Sequence, residues 1–78
     1  MRFPAEVPKR KVIKVLEQLG FKVIREGNHI SLLRENANGT KTPLTIPNHV
    51  NIKGSTLLVV CREADIPRDE FLRILDLV

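Results

Sequence analysis

Two histidines stand in matching surroundings. His29 follows Gly27-Asn28, and His49 follows Pro47-Asn48. An imidazole takes and returns a proton near neutral pH, which suits it to general acid–base work. One reaction that needs such a group is RNA cleavage, in which the ribose 2′-OH loses a proton as it attacks the adjacent phosphorus. His29 comes just after a glycine-containing turn, where a strand is expected to start, so its ring should be exposed and firmly held. Gly27 is expected to let the chain turn tightly. Asn28 offers an amide to bond a phosphate or orient the imidazole. His49 has four readings: helix cap, second liner of the same cleft, second proton carrier, or a loop histidine that fixes the chain path. Lys22, Arg25, Lys41 and Lys53 fall near the loops expected to flank His29. Cations there would hold phosphates and stabilise charge developing on phosphoryl oxygens.

Other chemistries lack their parts. No Asp, Glu, His or Cys set has metal-ligand spacing, so no metal site is expected and two-metal nuclease chemistry has no evident ligands. There is no GxxxxGK[ST] phosphate loop. Ser31 and Ser55 have no evident triad. The chain has no Trp or Tyr and three Phe (Phe3, Phe21 and Phe71), so stacking platforms for bases are scarce. The single Cys61 lies in the apolar run Leu57–Cys61 and reads as a small buried hydrophobe. The expectation is histidine-centred chemistry with no metal and no small-molecule cofactor.

The elements that must position these residues follow from the apolar pattern. Val12, Val15, Leu16 and Leu19 recur at helical steps, with Pro8 in the first turn and Gly20 as the stop. The period then falls to two. Phe21–Arg25, His29–Arg34 and Lys41–Ile46 read as three antiparallel strands joined by Glu26-Gly27-Asn28 and by Glu35–Gly39, with Asn38-Gly39 as a hairpin signal. Pro43 should lie where no ladder bond is needed. A second helix is expected from about Lys53 to Ala64 with Leu57, Val60, Cys61 and Ala64 inward. A short third helix after Pro67 turns Phe71, Leu72 and Leu75 inward. In the middle strand, Ile30 and Leu32 share one face while His29, Ser31 and Leu33 share the other. If the helices cover the former, His29 points to open solvent.

Length and charge fit that picture. The 78 residues allow a single domain spanning 1–78, with residues 1–7 as a short lead. The 13 Lys and Arg outnumber the 9 Asp and Glu, for a net charge of +4. The excess gathers in the first half, at Lys9, Arg10, Lys11, Lys14, Lys22 and Arg25, which suggests a polyanionic partner such as RNA. No run reaches the ~20 apolar residues that span a bilayer. No signal-peptide core opens the chain, so a cytoplasmic location without membrane contact is expected.

Four pieces in order carry a resemblance: Leu19-Gly20-Phe21, Gly27-Asn28-His29-Ile30, Ile46-Pro47-Asn48-His49 and Gly54-Ser55-Thr56-Leu57. Together with Ala64–Pro67 and Glu70-Phe71-Leu72, they resemble the HicA-like toxins, also called the YcfA family, over about Pro8 to Leu75. The resemblance implies an α+β fold like that of double-stranded-RNA-binding domains, in the order α-β-β-β-α(α). It implies an mRNA interferase, an endoribonuclease that blocks translation, and a HicB-like antitoxin as partner. The family's catalytic histidine falls on His29, and its Pro-x-His motif on Pro47 and His49. Many members have Gly-Ser-His where this chain has Gly27-Asn28-His29. The alternative is a non-catalytic RNA-binding module of the same fold. Such modules usually carry a lysine cluster at the start of the last helix, where Asn51–Ser55 supplies only Lys53. A third reading, a protein-interaction unit using Leu33 and an exposed strand edge, is compatible with the enzyme.

Overall fold

The computed structural model describes residues 3–78. The elements run β1 (Glu6–Pro8), α1 (Lys9–Gln18), β2 (Phe21–Glu26), β3 (His29–Glu35), β4 (Lys41–Pro47), β5 (Asn51–Lys53), α2 (Gly54–Glu63) and α3 (Arg68–Leu75). β2, β3 and β4 form an antiparallel meander with β3 in the middle, and β1 pairs with β5 in a separate two-stranded ribbon. The fold is therefore α+β, with the helices on one face of a three-stranded sheet as in double-stranded-RNA-binding domains.

The inward positions are those the periodicities indicate. Val12, Val15 and Leu16 of α1, Ile30 and Leu32 of β3, Leu44 and Ile46 of β4, Leu57, Val60 and Cys61 of α2, and Phe71, Leu72 and Leu75 of α3 are all buried. Leu19 is partly buried against this core. Among the described residues no polar or charged side chain is buried, so folding leaves no charge to be compensated in the interior. Phe71 sits fully buried, with the Phe3 ring edge-on to it at a centroid distance of 5.7 Å.

Helix ends follow local chemistry. Gly20, at φ +96°, takes the left-handed position that ends α1. At the end of α2 the same position falls to Asp65, at φ 55°. Ile66 N–H donates to the Cys61 carbonyl at 2.8 Å and Asp65 N–H to the Arg62 carbonyl at 3.3 Å, the bonding pattern of a Schellman cap. Arg34 lies over the Phe21 ring at 4.9 Å and donates to the Ala64 carbonyl at 3.3 Å, so it ties the sheet to the last turn of α2. The β3–β4 tip closes with Gly39 at φ +86°. Pro43 falls on β4, an edge strand, opposite Leu33.

Two features depart from the sequence expectations. The short lead, for which the sequence offers no structure, contains a strand. Glu6, Val7 and Pro8 pair with Lys53, Ile52 and Asn51, and Val7 is buried. Met1 and Arg2 of the expected lead lie outside the described residues. Three-residue strands carry no periodicity to read, and Pro8 argues against a strand by its missing donor. The ribbon comes close to α2 at Gly54, whose N–H donates to the Ala5 carbonyl at 2.9 Å. A Cβ added at Gly54 would collide with the Pro4 carbonyl oxygen.

The second departure is a β-bulge in β2. Val23 pairs with Leu32 and Arg25 with Ser31, leaving Ile24 unpaired between them. Regular alternation from Phe21 would send Arg25 to the helix side. The extra residue reverses the face, and Arg25 emerges on the open side beside Ser31.

Candidate active site

His29 is the first residue of the middle strand, opposite Pro47, the last of β4. Its neighbours Ile30 and Leu32 are fully buried, so alternation turns the His29 side chain to the uncovered face, and it is exposed. Ser31 and Leu33 are half-buried on that face. The preceding turn, Gly27-Asn28, is closed by the Gly27 N–H donating to the His29 carbonyl at 3.0 Å. Gly27 lies outside the left-handed region, and a Cβ there would meet nothing within 4 Å. The expected need for glycine's freedom at this turn is therefore not met. What the glycine provides is a bare backbone next to His29.

Three chain segments meet here: the β2–β3 turn, the β4–β5 loop, and the first residue of α1. Asn48 joins them. Its Nδ2 donates to the Gly27 carbonyl at 2.8 Å, and its Oδ1 accepts from Lys9 Nζ at 2.6 Å. The Lys9 N–H donates to the Val50 carbonyl at 2.9 Å. His49, between Asn48 and Val50, is exposed in the same loop. The first turn of α1 holds Lys9, Arg10 and Lys11 and no acidic residue. Cations at a helix N-terminus oppose the helix dipole. This end of the molecule therefore carries a positive potential that helix stability alone would disfavour.

The basic residues named from sequence divide into groups. Arg25 opposes Ser31, two positions from His29 on the same face, roughly 7 Å along the strand. Lys22 opposes Leu33, and Lys41 opposes Glu35. Lys22 and Lys41 share the open face, yet Lys41 enters at the opposite end of β3, six positions and roughly 20 Å from His29. Lys53 pairs with Glu6 and lines a different groove, bordered by Phe3, Gly54, Ser55, Leu58 and Arg68. The expectation that Lys22, Lys41 and Lys53 border the His29 loops is thus corrected by register: the side-chain period of two puts Lys22 and Lys41 on the right face but not at the right end. Asn28 is exposed beside His29. Sequence reasoning missed Lys9 and the bonding role of Asn48. The signals for Lys9 were its place after Pro8, at the expected helix start, and its share in the basic excess of the first half.

Cys61 takes no part. It is buried in α2, and burial pushes its thiol from 9.0 to about 11, with the Arg68 charge acting in the opposite direction. Among the described residues no group of three His, Cys, Asp or Glu is placed to hold a metal ion. Among those residues, too, no helix is long and apolar enough to cross a membrane.

No curated protein and no solved structure matches the chain. Residues 10–66, well over half of the sequence, match the family model described as the HicA toxin of bacterial toxin–antitoxin systems. The matched span takes in the His29 turn, the whole meander, the Asn48 loop and α2. The chain therefore belongs to the HicA toxin family.

Proposed function

We propose that this chain is a toxin that cleaves mRNA in the cytoplasm, with His29 as the general base, and that a HicB-like antitoxin neutralises it. The whole of residues 1–78 acts as one unit in this reading. His29 takes the proton of a ribose 2′-OH. The 2′ oxygen bonds to the adjacent phosphorus, the bond from phosphorus to the 5′ oxygen breaks, and the 5′ oxygen leaves as a hydroxyl after gaining a proton. The products are a 2′,3′-cyclic phosphate, or its hydrolysis product, and a 5′-hydroxyl end. A positioned base of this kind contributes about 10²–10⁴ in rate.

One observation carries the reading. His29 stands exposed on the uncovered face of the sheet, at the end where Arg25 and the Lys9 segment gather. A ring buried among aliphatic residues would have ended the argument. Arg25, Asn28 and His49 are the nearer contacts for RNA in this reading. Lys22 and Lys41 extend the positive face along the strands, and Lys53 contacts RNA only if the strand also follows the second groove. The open face fits the antitoxin as well. Ile24 is exposed and Leu33 half-buried there, among Lys22, Arg25 and Lys41, a mixture suited to an acidic partner with apolar anchors.

The test is induction of the wild type and His29→Ala side by side, with total RNA examined and cleavage repeated on purified protein in excess EDTA. His29→Ala is expected to fold, because the residue is exposed, and to abolish both growth arrest and cleavage. Undiminished cleavage by that variant removes the main support, and loss of wild-type activity in EDTA contradicts the metal-free step. Binding of duplex RNA without turnover would identify a non-catalytic RNA-binding module instead.

A further inference from the structure

We propose that Asn48 is a positioning residue that locks the turn carrying His29 and holds the Lys9 ammonium against that turn as a phosphate-binding cation. The proposal rests on the ribonuclease reading above and deepens it, giving separate roles to Asn48 and to the Lys9 side chain. The geometry is specific. Lysine can only donate and a peptide carbonyl can only accept. The Asn48 carboxamide meets one of each, Lys9 Nζ at 2.6 Å and the Gly27 carbonyl at 2.8 Å, so its orientation is fixed by its partners. Neither Asp nor Leu, both of similar size, can serve. Asp would set an oxygen against the Gly27 carbonyl, and Leu would bond neither.

The contacts span the chain. Asn48 lies 39 residues from Lys9 and 21 from Gly27. The loop backbone reinforces the same junction, with the Asn48 N–H directed to the Asn28 carbonyl at 3.4 Å and the Lys9 N–H bonded to the Val50 carbonyl at 2.9 Å. Without these ties, the Gly27-Asn28 turn is an exposed two-residue connection whose glycine imposes no conformation of its own. A base must be held within a small tolerance of the hydroxyl it deprotonates, and a shift of about 1 Å costs on the order of a hundredfold in rate. Lys9 has three donors and Asn48 uses one. Lys9 is only half-buried, so the other two can reach an anion. Lys9 precedes the span shared with the HicA family, which starts at residue 10.

The experiment compares Asn48→Ala, Asn48→Asp, Lys9→Met, Lys9→Arg and His29→Ala with the wild type. It measures kcat and KM for cleavage of a single-stranded RNA, the salt dependence of binding, and amide hydrogen exchange. Asn48→Ala and Asn48→Asp are expected to lower kcat about tenfold to a hundredfold, and to raise KM as well, because Ala releases Lys9 and Asp sets a negative charge beside it. Both should speed exchange of the Gly27 N–H while leaving Ile30 and Leu32 protected. Asn48→Asp separates the two contacts, because it keeps an acceptor for Lys9, now a charged one, and loses the bond to Gly27. Lys9→Met should raise KM and reduce the slope of log affinity against log salt by about one; Lys9→Arg should restore that slope. If His29→Ala is inactive while Asn48→Ala and Asn48→Asp keep wild-type kcat and Gly27 exchange, the positioning role is overturned and the ribonuclease reading stands. If Lys9→Met leaves KM and the salt slope unchanged, the phosphate role of Lys9 is overturned. If His29→Ala cleaves as well as the wild type, the ribonuclease reading falls and the proposal falls with it.

Discussion

Deleting Ile24 should leave the fold and the His29 face in place. In an ordinary strand, removing one residue reverses the face of everything beyond it. Here Val23 already pairs with Leu32 and Arg25 with Ser31, and Ile24 is the surplus between them. Its removal turns a bulged strand into a regular one with the same partners. The cost is what Ile24 itself hides. It is 61% exposed, and full burial of an isoleucine side chain is worth roughly 1.5–3 kcal/mol, so the buried two fifths are worth about 0.6–1.2 kcal/mol. A chain of this length has a total stability of about 4–12 kcal/mol. The melting temperature should therefore fall by only about 2–10 °C. Thermal and urea melts give the loss and show whether the transition stays cooperative. Amide exchange at Ile30 and Leu32 reports the register, and Arg25→Ala in both backgrounds should reduce RNA binding equally. The reasoning is refuted by a loss above about 3 kcal/mol, by collapse of protection in β3, or by Arg25→Ala having no effect in the deletion background alone. A barely perturbed protein would show that the pairing of Arg25 with Ser31 sets its face, and that the bulge adds little to the stability of the sheet.

Two further outcomes test the local energetics. Asp65→Gly should stabilise the fold by about 0.5–1 kcal/mol, because a non-glycine residue holds the left-handed position after α2 at φ 55°; a fall in melting temperature would mean that the aspartate makes a compensating interaction. The Cys61 thiol, raised by burial from 9.0 to about 11, should resist alkylation at pH 8 in the native protein and react readily once it is unfolded. The folded state holds this proton more tightly than the unfolded one. Its contribution is therefore intact below pH 9 and lost as pH rises from about 9 to 11. Urea melts across that range should show falling stability, and the decline should be smaller in Cys61→Ala.

Most of the framework is legible in one dimension. The helical recurrence of Val12, Val15 and Leu16, the alternation of Ile30 and Leu32, and the stripe from Leu57 to Cys61 are local records of which side is buried. They suffice to place His29 on the open face, because a strand has only two sides. The order of Gly-Asn-His, Pro-Asn-His and Gly-Ser-Thr-Leu carries the family. The chemical types of the site residues, and the exposure of the imidazole, needed no coordinates.

Tertiary structure decided what depends on a partner distant in sequence. Arg25 joins His29's face because β3 accepts one extra residue from β2, and the spacing within β2 alone points the other way. Lys41 and Lys53 drop out of the site because register and strand pairing fix distances that composition does not encode. The pairing of Glu6–Pro8 with Asn51–Lys53 is too short to leave a period. The Asn48 carboxamide meets Lys9 and Gly27 only after three segments fold together. Burial leaves its pattern in the local sequence because, among the described residues, no polar or charged side chain is buried, wherever the neighbours come from. A hydrogen bond between remote segments leaves none, since each polar partner is equally at home in water until the fold brings the other to it.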